Sequence, residues 1–114
     1  MTTRTVAAVA ERLDRLADQM RETAIVIGSN RSVTPARPHI ISAARTARRC
    51  SLKLRGSMAD SDRAMHVASQ IDGVVETLRE WADTQPNSRL DAIRANSLAV
   101  MARFVEANAQ ELRA

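Results

Sequence analysis

The chain has 114 residues, 45% of them hydrophobic and 2% aromatic, and 17 Lys and Arg stand against 13 Asp and Glu for a net charge of +4. That length predicts a single domain over residues 1–114, large enough to bury a core of its own. The longest uncharged runs, such as those at residues 23–30 and 95–102, are far short of the roughly 18 residues a membrane-spanning helix needs, so no membrane role is expected.

Helix formers dominate, Ala above all, and strand formers are scarce, which predicts an all-α chain. The apolar run over residues 6–10 ends at Glu11, too short for a secretory signal, and a single cysteine, Cys50, precludes an intramolecular disulfide. Both features point to a cytoplasmic protein.

In chain order, the first helix is predicted over residues 3–27. Val6, Val9, Leu13, Leu16, Met20, Thr23 and Ile27 recur at steps of three and four, with Ala10, Ala17 and Ala24 beside them to admit a close neighbour. Thr2 or Thr3 suits the cap and Gly28 the stop. Glu11 and Arg15 have the spacing of an i,i+4 pair, while Asp14, Asp18 and Glu22 read as a solvated edge.

After a loop over residues 29–34, Pro35 and Pro38 are placed for the first turn of a second helix over residues 36–55, ending at Gly56. Ile40, Ala43, Ala47, Cys50 and Leu54 form its narrow apolar seam. Arg45, Arg48, Arg49, Lys53 and Arg55 gather on the opposite side, and Ile41 and Leu52 fall among them as the apolar part of a contact surface. This helix lies inside a segment, Thr23 to Ala59, that holds no Asp or Glu but seven basic residues, Arg31 and Arg37 included. The net charge therefore divides into +7 in that segment and −3 in the remainder, where ten basic residues meet thirteen acidic ones. Such an asymmetry calls for an anionic partner.

Ser57 and Asp60 form a capping box for a third helix over residues 58–84. Its seam is Ala64, Val67, Ile71, Val74, Leu78 and Trp81, with His66 just off it and a mid-helix Gly73 that suggests a close approach or a bend. Asp72, Glu76, Glu80 and Asp83 make an acidic stripe placed to neutralise part of the arginine face. Pro86 stops this helix, and Ser88 with Asp91 starts a fourth over residues 88–112. There Leu90, Ile93, Leu98, Val100, Met101, Phe104, Val105 and Leu112 spread over roughly 160°, wider than the ~100° one packed face requires. The surplus predicts self-association, most simply a dimer, with Leu98, Met101, Val105 and Leu112 as its interface. Four helices joined by short links predict an antiparallel four-helix bundle, up-down-up-down.

The sequence holds no HExxH, Glu-x-x-His or CxxC spacing, and its three glycines are isolated rather than gathered in a phosphate loop. Cys50 sits on the buried seam, away from any activating base. No metal, cofactor or catalytic residue is therefore expected, and the chain reads as a non-enzymatic small basic helical binding protein. Its expected partner is the backbone of a nucleic acid, held by Arg37, Arg45, Arg48, Arg49, Lys53 and Arg55, since arginine suits phosphate. With one Phe, one Trp and no Tyr there is no platform for stacking bases, so contacts to backbone and shape are expected. The alternative is an adaptor or inhibitor that docks an acidic protein through Ile41 and Leu52 and self-associates through the fourth helix.

Overall fold

The computed structural model describes residues 3–27, 37–55, 61–82 and 89–114. The described chain is all-helical: α1 (Thr3–Ile27), α2 (Arg37–Arg55), α3 (Ser61–Ala82) and α4 (Arg89–Arg113). The residues expected to cap or stop these helices, Thr2, Gly28, Gly56, Ser57, Asp60, Pro86 and Ser88, lie outside the described residues, as do the 29–34 loop, Pro35 and Asp83. Among those described, no helix is long and apolar enough to cross a membrane.

The four helices pack against each other around one core: α1 touches α2 and α4, and α3 touches the same two. The predicted seams supply it. Val6, Val9, Leu13, Leu16 and Met20 of α1 are buried, as are Ile40, Cys50 and Leu54 of α2 and Val67, Ile71, Val74 and Leu78 of α3. Alanines fill the spaces between these side chains. Ala10, Ala17 and Ala24 on α1 and Ala43, Ala44 and Ala47 on α2 are all buried, so the backbones can approach closely where a larger core residue would hold them apart. Trp81 and Ile41 are half-buried against this core.

The fourth helix departs from expectation. Leu98, Met101, Val105 and Leu112, read above as an interface between copies, are core side chains of the bundle itself. With Ala102 and Ala109 they make a buried arc, and the polar Asn108 is buried beside it, donating its Nδ2 hydrogen to the Phe104 carbonyl at 2.8 Å. Phe104 itself falls past the edge of that arc and is 59% exposed. The width of the apolar face is thus explained in part by core and in part by an outward aromatic. Gly73 also needs no close approach: a Cβ built on it would meet nothing within 4 Å.

Three buried polar atoms have no hydrogen-bond partner among the described residues, Arg48 Nε, Asn108 Oδ1 and Ser51 Oγ, and the last belongs to a side chain with no other polar atom. Ser51 is fully buried on α2, and its Oγ has no hydrogen-bond partner among the described residues. An unsatisfied hydroxyl in an apolar setting costs about 1–3 kcal/mol, so Ser51→Ala should raise the unfolding free energy by about 1 kcal/mol in urea titrations. A loss of stability would show that the hydroxyl is bonded. By contrast, Leu78→Ala should lower it by about 2–5 kcal/mol, since Leu78 is fully buried and its removal leaves a cavity. An effect under about 0.5 kcal/mol, the size of a typical surface substitution, would place Leu78 outside the core.

Candidate functional site

The basic face is built by the same spacing that builds the core. On α2 the stripe Ala44, Arg48, Ser51, Arg55 advances by four, three and four residues, and Ala44 and Ser51 are buried. The two arginines on that stripe reach α1. Arg48 pairs with Asp18 at 2.6 Å and Arg55 with Asp14 at 2.7 Å. Asp14 and Asp18 are one turn apart on α1, on the edge that reads from sequence as solvated.

Of the acidic stripe of α3, expected to screen the arginines, Asp72 is engaged on the other side of the helix. Asp72 pairs with Arg113 of α4, and its carboxylate, by hydrogen bonding, pushes that guanidinium above its ordinary value. Arg79 of α3 pairs in turn with Glu106 of α4. Glu76 is exposed, and Asp83 lies outside the described residues.

The basic residues of α2 therefore divide into three groups. Arg48 and Arg55 are paired. Lys53 is half-buried and donates to the neutral Gln70 Oε1 at 3.0 Å, a partner that brings no opposing charge. Arg37, Arg45 and Arg49 are exposed and have no carboxylate partner among the described residues. Arg45 and Arg49 stand one turn apart on the outer face, and Leu52, 61% exposed, lies one turn further on. Ile41, expected beside Leu52 as an exposed contact, is half-buried against the core instead, because it sits towards α1 rather than at the crest of the helix.

Two clefts lie between neighbouring helices among the described residues. Between α2 and α3 is one of about 200 Å³, lined by His39, Ser42, Thr46, Gln70, Gly73 and Thr77 over a floor of Ala43 and Val74. Gln70 ties its Lys53 end, since Oε1 accepts from Lys53 and, at 3.8 Å, from the Cys50 thiol. At the other end the His39 ring lies 5.2 Å from that of Trp81, tilted by 31°. The second cleft, about 210 Å³, lies between α1 and α4 and is lined by Arg12, Arg15, Leu16, Gln19, Phe104 and Asn108. Both its arginines are paired, Arg12 with Glu111 at 2.6 Å and Arg15 with Glu11 at 2.7 Å, the latter being the expected i,i+4 pair.

Sequence reasoning missed the α1 carboxylates and the polar cleft. Asp14 and Asp18 at i,i+4 facing Arg48 and Arg55 at i,i+7 is a signal, but it appears only once the two helices are placed side by side. His66, which the spacing places just off the α3 seam, is exposed. No family model, curated protein or solved structure matches the chain.

Cys50 is buried, and desolvation pushes its thiol up from the ordinary value against the weaker opposing pull of Lys53 and Arg49. A thiol that ionises later when folded contributes stability in full below its unfolded pKa and loses that contribution as pH rises through the folded one. Thiol labelling of the native protein at neutral pH should accordingly be much slower than in denaturant. Equal rates in the two states would mean that Cys50 is accessible.

Proposed function

We propose that the protein is a non-enzymatic helical module that binds the backbone of nucleic acid through the outer face of α2. The observation that carries this reading is the set of charges on that face with no carboxylate partner among the described residues: Arg37, Arg45 and Arg49, joined by Lys53 with its neutral partner. Arginine presents a planar fork to phosphate, and cations spaced along a helix can meet successive phosphates. Arg48 and Arg55 contribute less, because Asp18 and Asp14 compete for them. The site is thus smaller than the six residues the sequence suggests.

The arrangement that supports this role is a single domain with the helices running up-down-up-down. Its support lies in cross-helix pairs whose numbers run in opposite directions. On α1 and α2, Asp18 meets Arg48 and Asp14 meets Arg55; on α2 and α3, His39 meets Trp81 and Lys53 meets Gln70. On α3 and α4, Asp72 meets Arg113 and Arg79 meets Glu106. In such a bundle α2 lies diagonally opposite α4, leaving the basic face away from Phe104.

That outward aromatic favours a second reading, self-association through the α1/α4 side. Among the described side chains of α4, Phe104 is the most exposed large apolar one, and it lines the second cleft, with Val100 exposed one turn before it. Sedimentation at high micromolar concentration should show a dimer for the native chain and a monomer for Phe104→Ser. A monomeric native chain would remove this reading and leave the first untouched.

For the principal reading, Arg37→Ala, Arg45→Ala and Arg49→Ala combined should leave the fold intact, since surface changes of this kind usually cost within about 0.5 kcal/mol each. Affinity for duplex DNA should fall, and the slope of log affinity against log salt should flatten by up to about 0.9 for each phosphate no longer neutralised. Arg103→Ala, on α4, should change neither. Native protein that binds no nucleic acid at about 50 mM salt would end the proposal, because the electrostatic term is strong there.

A further inference from the structure

The α1/α4 side differs from the basic face in how its charges are spent. Arg12 is paired with Glu111 and Arg15 with Glu11, so these four charges sum to zero. Thr23, one turn beyond Gln19, gives its hydroxyl hydrogen to the Gln19 carbonyl at 2.9 Å. What this side still offers a partner is apolar: Phe104 and Val100 are exposed on α4, and Leu16 lines the cleft between the two helices. A polyanion gains little from charges that are already matched.

A second copy of the chain fits this side better. A two-fold contact sets a patch against itself, so a patch with a surplus of one sign repels its own copy. On a chain of net charge +4, Arg37, Arg45 and Arg49 make the outer face of α2 such a patch, whereas the ion pairs of the α1/α4 side are balanced. That side also carries a knob next to a hole. Phe104 projects beside the cleft it lines, and the cleft holds about 210 Å³. An apolar cavity of about 150 Å³ takes up benzene, so the cleft has room for the phenyl ring of a second copy. By symmetry the contact is made twice.

The ring of contacts from α1 to α2, α3, α4 and back to α1 decides where the basic faces then point. α2 lies across the bundle from α4, so Arg45 and Arg49 on its crest have their backs to the contact between copies. A two-fold axis lying in the interface reverses the direction that leads away from it, and the two basic faces therefore look out from opposite sides of the pair. Each copy is 17 to 20 Å across the bundle, which keeps the faces well apart. A duplex is stiff over about 150 base pairs, and a short segment lying on one face cannot bend round to the other.

Resting on the readings of α2 as a nucleic-acid backbone binder and of the α1/α4 side as a contact between copies, we infer that the protein works as a two-fold pair that bridges two separate duplex segments, one on each outward α2 face. Arg45 and Arg49 hold each segment. Phe104 links the two.

The test is capture. One DNA duplex is fixed to beads, a second carries a fluorophore in solution, and the full chain is added at high micromolar concentration in about 50 mM salt, where phosphate contacts are strong. The native protein should hold the labelled duplex on the beads. Phe104→Ser should reduce capture to the level without protein, yet bind a single short duplex, read by anisotropy, within about twofold of native, as expected of a surface change away from the contact. Val100→Lys should also lose capture, although it adds a positive charge, because it sets like charges against each other between copies; lysine suits a helix better than valine, so the fold is kept. Arg45→Ala with Arg49→Ala should still sediment as a dimer, with both capture and single-duplex binding weakened. A native dimer that binds single duplexes but captures none would overturn bridging and leave both earlier readings standing. Capture undiminished in Phe104→Ser and Val100→Lys would overturn the assignment of the contact. A monomeric native chain would overturn the inference together with the self-association reading, and a native chain that binds no duplex would overturn it together with the arginine reading.

Discussion

The close packing of α1 against α2 is the constraint on which the rest depends. The stripe of α2 that turns towards α1 carries Ala44 and Ser51 between its two arginines, and the facing side of α1 carries Ala10, Ala17 and Ala24, all of them buried. Small residues on both helices bring the backbones close enough for Asp14 and Asp18 to hold Arg55 and Arg48. Each of these pairs is solvent-exposed to some degree, so each contributes at most about 1 kcal/mol to stability. Their larger effect, in the proposed reading, is on the basic face. They remove two arginines from the basic face and leave Arg45 and Arg49 at its crest.

On the other side of α2 the spacing is looser in kind. The α2/α3 boundary is met by Ser42, Thr46, Gln70 and Thr77 above a floor of Ala43 and Val74, and it opens into a polar cleft. The two flanks of one helix thus do different things. The tight flank neutralises charge, and the loose flank offers hydrogen-bonding groups next to charges that remain. Between them the exposed crest carries Arg45, Arg49 and Leu52. This asymmetry is what turns an arginine-rich helix into a directed surface rather than a uniformly basic rod.

Much of the fold was legible in sequence, and the reasons are local. Seams such as Ile40, Ala43, Ala47, Cys50 and Leu54 repeat with the helical period, and a side chain's inward direction follows from its place in that period. Where the reading failed, the deciding fact lay on a neighbouring helix. Leu98, Met101, Val105 and Leu112 could not be divided between core and interface without knowing how much of α4 is flanked by α1 and α3. Phe104 looked like part of the same face, yet it lies a few tens of degrees beyond the buried arc and is exposed. The arginines were placed correctly on α2, but which of them keep their charge free is decided by α1, through carboxylates whose own spacing looked like an ordinary solvated edge.

The central claim is that Asp14 and Asp18 decide which arginines of α2 are available to an anionic partner. It is tested most directly by releasing the two captives. Asp14→Asn with Asp18→Asn should leave the protein folded and tighten its binding to duplex DNA, with the salt slope steepening by up to about 0.9 for each arginine freed to take a phosphate. Glu22→Gln with Glu76→Gln makes the same change in net charge at carboxylates that hold no α2 arginine among the described pairs, and it should have a distinctly smaller effect. If the two double variants bind alike, net charge alone governs the interaction, and the sorting of the basic face by α1 has no functional consequence.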